Sequence, residues 1–151
     1  MKILVDADGC PVRKIIVKIT KAEKIPLLIV SNIHHQIDED YGQHLVVDAE
    51  FDEADHVILA NTNKGDLVIT QDYGLASLVL SKQAYALHQD GWFYTEENID
   101  SLLMKRYLGQ KIRKKTKRFS SIPKRTLEQD KQFEKALRAF IDEGSYSLKQ
   151  K

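Results

Sequence analysis

The chain has 151 residues, 42% of them apolar and 30% charged, and one cysteine, Cys10. That size and balance suit one domain with a core of its own, exclude an internal disulfide, and leave no apolar run long enough to span a membrane. The net charge of +1 hides a division: residues 1–100 carry 8 Lys/Arg against 17 Asp/Glu, net −9, whereas residues 101–151 carry 15 against 5, net +10.

The first predicted strand covers 3–5 and is apolar throughout, as in a strand buried on both faces. It runs directly into Asp6-Ala-Asp8-Gly9-Cys10-Pro11. Pro11 suits the first turn of a helix, which passes through Ile15, Ile16 and Ile19 and ends near Glu23, ahead of Pro26. A second strand is expected over 27–30, stopped by Ser31-Asn32, then a polar loop or short helix over 33–43 and a third strand over 45–47. Phe51, Ala54 and Ile58 share a helical stripe over 51–60. Gly65 breaks the chain, and a fourth strand over 67–69 leads through Thr70-Gln71 to Asp72. A helix over 75–80, a strand over 85–87 and an aromatic turn over 91–94 follow. Thr95 is placed to N-cap a helix opening with Glu96-Glu97, and Thr126-x-x-Gln129 is a capping box for a last helix carrying Phe133, Leu137 and Phe140.

Alternating strands and helices predict an α/β fold: a three-layer, mostly parallel sheet with helices on both faces, followed by a basic segment and a C-terminal helix. The expected division is an α/β core over 1–107, a basic loop over 108–125 and a helix over 126–144, all in one domain. With no signal-peptide layout before the first strand and a single cysteine, the expected location is the cytoplasm.

Ligands of parallel α/β sheets bind beyond the carboxyl ends of the strands, and three sources of carboxylate converge there. Asp6 ends the first strand and Asp8 lies just past it. Asp72 follows the fourth. The helix after the third strand brings Asp52 and Asp55, with Asp48 ahead of it. Adjacent carboxylates repel unless a cation lies between them, and clustered hard oxygens favour Mg²⁺ or Mn²⁺ over zinc. Each residue also has a plainer reading: Asp48, Asp52 and Asp72 as helix caps, Asp66 and Asp90 as turn residues, and Cys10 as a small residue at a helix start. His34-His35 lack a recognisable zinc spacing. Ser31 and Asn32 are either turn residues or contacts to a phosphate.

Residues 105–125 hold ten Lys/Arg and no acid. Lys111, Arg113, Lys114, Lys115, Lys117 and Arg118 form their dense centre, the composition of a phosphate-backbone grip or of a solvated loop. Tyr107 and Phe119 flank it and could stack on single-stranded bases.

Two resemblances follow from these motifs. Asp6-x-Asp8-Gly9 after a strand, with Leu28-Ile-Val-Ser31-Asn32, resembles the haloacid-dehalogenase-type phosphatases, in which the first Asp is a nucleophile. That family's last acidic motif follows a strand, whereas Gly65-Asp66 precedes one. A closer resemblance covers nearly the whole chain. Val5-Asp-Ala-Asp-Gly-Cys-Pro-Val12, Phe51-Asp-Glu-Ala-Asp55, Gly65-Asp-Leu-Val-Ile-Thr-Gln-Asp72 and Glu97-Asn-Ile99 resemble the signature blocks of the YaiI/YqxD family of uncharacterised bacterial proteins, with Gly9 where that family usually shows alanine. The resemblance implies a PIN-like, Rossmann-like nuclease fold. It also implies a carboxylate cluster of Asp6, Asp8, Asp55 and Asp72, with Asp52 as a fifth member, holding Mg²⁺ or Mn²⁺ and cleaving RNA or DNA phosphodiesters. The expected partner is nucleic acid, RNA first. The rival expectations are a nucleic-acid-binding protein on a degenerate nuclease scaffold and a phosphatase.

Overall fold

A computed structural model describes residues 1–32, 39–48, 53–116 and 124–150. Six strands form one sheet: β1 (Ile3–Asp6), β2 (Leu27–Asn32), β3 (Gln43–Val47), β4 (Leu67–Ile69), β5 (Tyr85–Leu87) and β6 (Phe93–Tyr94), in the order β3-β2-β1-β4-β5-β6. All pairings are parallel except β5 with β6. Five helices accompany them: α1 (Arg13–Glu23), α2 (Glu53–Asn61), α3 (Tyr73–Ser81), α4 (Glu96–Thr116) and α5 (Leu127–Gln150).

The alternation of side chains along β1 divides the core. Ile3 and Val5 pack with Ile16 and Ile19 of α1 and with Phe133, Leu137 and Ile141 of α5. Leu4 points the other way, among Ile58 of α2, Leu75, Ala76 and Val79 of α3 and Ile99 of α4. Helices therefore cover both faces, which is why β1 and β4 are apolar without alternation. Phe133, Leu137 and Ile141 recur at the helical period, and burying each contributes about 1.5–3 kcal/mol.

Local chemistry sets the helix ends. Lys24 closes α1 in the left-handed conformation at φ 55°. Thr95 and Asn98 bond reciprocally at the start of α4: the Asn98 N–H donates to Thr95 Oγ1 at 3.1 Å, and the Thr95 N–H to Asn98 Oδ1 at 2.9 Å. Thr126 and Gln129 do the same for α5, at 3.3 and 2.9 Å, as their spacing predicts.

Several expectations differ from the structure. The last helix does not end at 144; α5 continues to Gln150. Pro11 precedes Val12, the N-cap of α1, and is not in its first turn. Ser31 and Asn32 do not stop β2; they belong to it, because β3 pairs alongside and keeps both residues in the ladder. The aromatic turn over 91–94 closes into β6, antiparallel to β5, with Tyr94 buried. The basic segment does not begin as a loop at 108: α4 continues through Gly109 to Thr116, since one glycine costs a helix only about 1 kcal/mol. No helix among the described residues is long and apolar enough to cross a membrane.

The strand order fixes where a ligand can sit. The chain steps from β1 outward to β3 and then returns across β1 to β4. The crevice at such a reversal opens beyond the carboxyl ends of the two central strands, here β1 and β4.

Candidate functional site

Asp6 is the last residue of β1, and Thr70 to Asp72 follow β4 directly, so the reversal brings them face to face. Thr70 is buried and joins the two ends. Its hydroxyl donates to Asp6 Oδ2 at 3.0 Å and accepts the Asp72 N–H at 3.0 Å. Asp8 is held from the other side by Asn32 of β2, whose backbone N–H lies 3.2 Å from both carboxylate oxygens and whose amide donates to Oδ2 at 3.1 Å.

Asp72 caps α3, Oδ1 accepting from the N–H groups of Gly74 at 2.9 Å and Leu75 at 3.2 Å. The capping reading of this residue therefore holds, and capping keeps the carboxylate at the crevice. Arg106 of α4 reaches the same oxygen at 3.2 Å. Together Asp6, Asp8, Gln71, Asp72, Tyr73, Lys105 and Arg106 line an open cleft of about 560 Å³. Its lining combines three carboxylates with two cationic side chains.

The electrostatics report the crowding. Asp6 is pushed up from 3.8 to about 6, first by burial and then by the charges of Asp55, Asp8 and Asp72, against the Thr70 hydrogen bond that favours its ionised form. Asp55 of α2 thus lies within electrostatic reach of Asp6. Asp48 follows β3 and donates its backbone N–H to Glu53 Oε2 at 3.1 Å. Asp52, His34 and His35 lie outside the described residues.

Among the described residues, no three Asp, Glu, His or Cys side chains are grouped as the ligands of one ion. A closed protein cage is therefore not preformed there. The donor set suits a different arrangement: hard carboxylate oxygens around Asp6, whose mutual repulsion a cation would relieve. Mg²⁺ is commonly held by one or two carboxylates, its remaining positions filled by water and phosphate.

Other candidates resolve into structural roles. Burial pushes the Cys10 thiol up, the opposite of an activated nucleophile. Asp66 lies at the far edge of the sheet, buried, accepting from the Lys2 N–H at 3.0 Å, Lys2 Nζ at 2.7 Å and the Asn63 N–H at 2.8 Å. Asp90 is a turn residue paired with Arg125 at 2.6 Å. Arg125 also reaches Asp130 and the Gln89 carbonyl, each at 2.6 Å, and so ties the start of α5 to the β5–β6 turn.

Of the basic residues, Lys111 is exposed on α4 with its ammonium 5.0 Å from the Tyr107 ring centre. Arg113, Lys114 and Lys115 belong to α4, and Lys117 and Arg118 lie outside the described residues. The cations that line the cleft are Lys105 and Arg106, at the quiet beginning of the basic run rather than its dense centre.

Tyr73 was not singled out from sequence. It opens α3, lines the cleft, and meets Trp92 and Tyr94 edge to face with ring centres 6.5 and 5.8 Å apart. Trp92 stacks on His88 at 4.4 Å, and the Tyr94 hydroxyl donates to the Thr70 carbonyl at 3.1 Å. The sequence signal was the position of Tyr73 next to Asp72. Its aromatic neighbours come from β6 and the residue before it, about twenty residues on.

Residues 4–143 match the family model described as "Uncharacterized BCR, YaiI/YqxD family". A "UPF0178 protein" of Alkaliphilus oremlandii is 53% identical over 149 residues, covering 99% of this chain and 96% of that one. Proteins of the same name from Natranaerobius thermophilus and Ruminiclostridium cellulolyticum are 46% and 44% identical, covering 93% and 99% of this chain and 96% and 99% of their own. No solved structure matches.

Proposed function

The chain belongs to the YaiI/YqxD family, and we propose that it is a nuclease of PIN-like architecture that hydrolyses phosphodiesters of RNA, or of DNA, with the help of Mg²⁺ or Mn²⁺. The observation that carries the reading is the cleft itself: Asp6, Asp8 and Asp72 at the reversal of the sheet, in one lining with Lys105 and Arg106. Carboxylates for a cation beside cations for a phosphate fit a substrate that is itself a polyanion.

Asp6, Asp8, Asp55 and Asp72, with Asp52 as a further member, are the residues that would hold the ion. A divalent cation there supplies charge neutralisation at the phosphate and an acidified water. The rest falls to the chain. Thr70 fixes Asp6 relative to Asp72, and Asn32 fixes Asp8, so the carboxylates are positioned before substrate arrives. Arg106 takes the phosphate backbone near the cut, and the further basic residues of α4, Lys111, Arg113, Lys114 and Lys115, extend the grip along the strand, with Lys117 and Arg118 following them in sequence.

A second reading has its own observation. Arg106 pairs with Asp72, and no three-ligand group is preformed among the described residues, as suits a protein that binds nucleic acid without cutting it. Incubation of end-labelled RNA and DNA oligonucleotides with the protein, with Mn²⁺ and with chelator, separates the two. The nuclease reading expects divalent-dependent cleavage that Asp6→Asn abolishes while the melting transition persists. Binding without cleavage under either metal supports the second reading. Full activity in Asp6→Asn removes the site assignment.

A further inference from the structure

Arg106 and Asp72 are partners and also neighbours of everything else in the cleft. The pair is a single contact of 3.2 Å, with the two side chains 45% and 35% exposed. So exposed a pair is weakly held, whereas a guanidinium on phosphate gains two parallel, charge-assisted bonds. Asp72 does not depend on Arg106 for its position, because the N–H groups of Gly74 and Leu75 already fix Oδ1. Arg106 can therefore leave without the carboxylate moving. Lys105 lines the same cleft on the same helix, but its ammonium makes no ion pair with Asp72 among the described contacts.

We infer that Arg106 is the phosphate-binding residue of the cleft and that it acts by exchange: a nucleic-acid phosphate draws the guanidinium off Asp72, and the carboxylate so released completes the place for a divalent cation. Polyanion and cation then bind cooperatively, and Arg106 is the residue that couples them. Because the coupling is a binding free energy, each ligand tightens the other by the same factor. The inference rests on the nuclease reading for the presence of the cation and adds to it an order: the site is assembled by its substrate.

The test measures Mn²⁺ binding to the full chain by electron paramagnetic resonance, alone and with a phosphorothioate DNA decamer, in wild type, Arg106→Ala, Arg106→Gln and Lys105→Ala. The decamer is expected to tighten Mn²⁺ binding by about five-fold or more in wild type, the lower end of ordinary coupling. Both Arg106 variants should bind Mn²⁺ about that much more tightly without decamer, and the decamer should then add little. Lys105→Ala removes an equal charge from the same helix and should keep most of the wild-type coupling. Equal behaviour of the Arg106 and Lys105 variants, or wild-type coupling in the absence of Arg106, overturns the exchange while leaving the nuclease reading intact. Absence of Mn²⁺ binding in every variant, with and without decamer, overturns both.

Discussion

Thr70 donates its hydroxyl to Asp6 at 3.0 Å across the junction of β4 and β1. The same oxygen accepts the Asp72 N–H, so one buried hydroxyl sets two carboxylates that lie 66 residues apart in the chain. Thr70→Val keeps the shape and removes both bonds. It should cost about 1–3 kcal/mol, the range for stranding a buried polar group, as read from denaturant unfolding. Because the Thr70 bond lowers the Asp6 pKa, the variant should raise it above the wild-type value of about 6, which carbon-detected NMR titration of the carboxyl resolves.

Asp6 itself is a cost to the fold. Its carboxyl titrates near 3.8 unfolded and about 6 folded, so between those values the folded state holds the extra proton. Stability falls as pH rises through that window and is level above it, a loss of about 3 kcal/mol at most from the shift alone. Asp6→Asn removes the charge and should therefore stabilise the protein at pH 8 and have little effect at pH 3.5, measured by thermal melting at both. A destabilised Asp6→Asn at pH 8 would show that the carboxylate supports the structure rather than straining it.

Asp66 behaves with the opposite sign. Burial acts to raise its pKa, but the bonds from Lys2 and Asn63 outweigh that and hold it below the usual carboxylate range. Its contribution is present above the unfolded value and is lost as pH falls through the lower folded one. Asp66→Asn should cost about 1–3 kcal/mol at pH 7, less at pH 3, and leave the proposed nuclease activity per folded molecule unchanged, since the residue lies at the far edge of the sheet.

Gly91 brings the β5–β6 turn against α5. Its φ is 90°, and a Cβ there would stand 2.6 Å from the backbone oxygen of Gln132. Gly91→Ala should cost about 2–4 kcal/mol in a denaturant melt, from the left-handed backbone and the overpacking together. Since Arg125 ties the same turn to α5, its loss and the Gly91 substitution should not add independently.

Most of the fold was legible because local signals agreed with it. The apolar run of β1, the Thr95 cap and the Thr126–Gln129 box each marked an element that exists, whereas Pro11 stands just ahead of Val12, the cap of α1, and not in its first turn. Asp6, Asp8 and Asp72 were legible as one site because each follows a strand end that a parallel sheet gathers on one edge. What local pattern could not show was set by packing across the sheet. Asn32 locks Asp8 only because β2 and β1 lie side by side in register. Arg106 reaches Asp72 only because α4 packs on α3, and nothing in its own neighbourhood separates it from the other basic residues of the run. Residues 93–94 form a strand because β5 offers an edge, not because two aromatics specify one.

The proposal that the acidic cleft is a divalent-metal site serving phosphodiester hydrolysis is tested most directly by anomalous diffraction from a crystal of the protein with Mn²⁺ and a phosphorothioate oligonucleotide. An anomalous peak is expected between Asp6 and Asp72, with Arg106 on phosphate. A cleft without that peak while the oligonucleotide is bound, and with Arg106 still on Asp72, would contradict it.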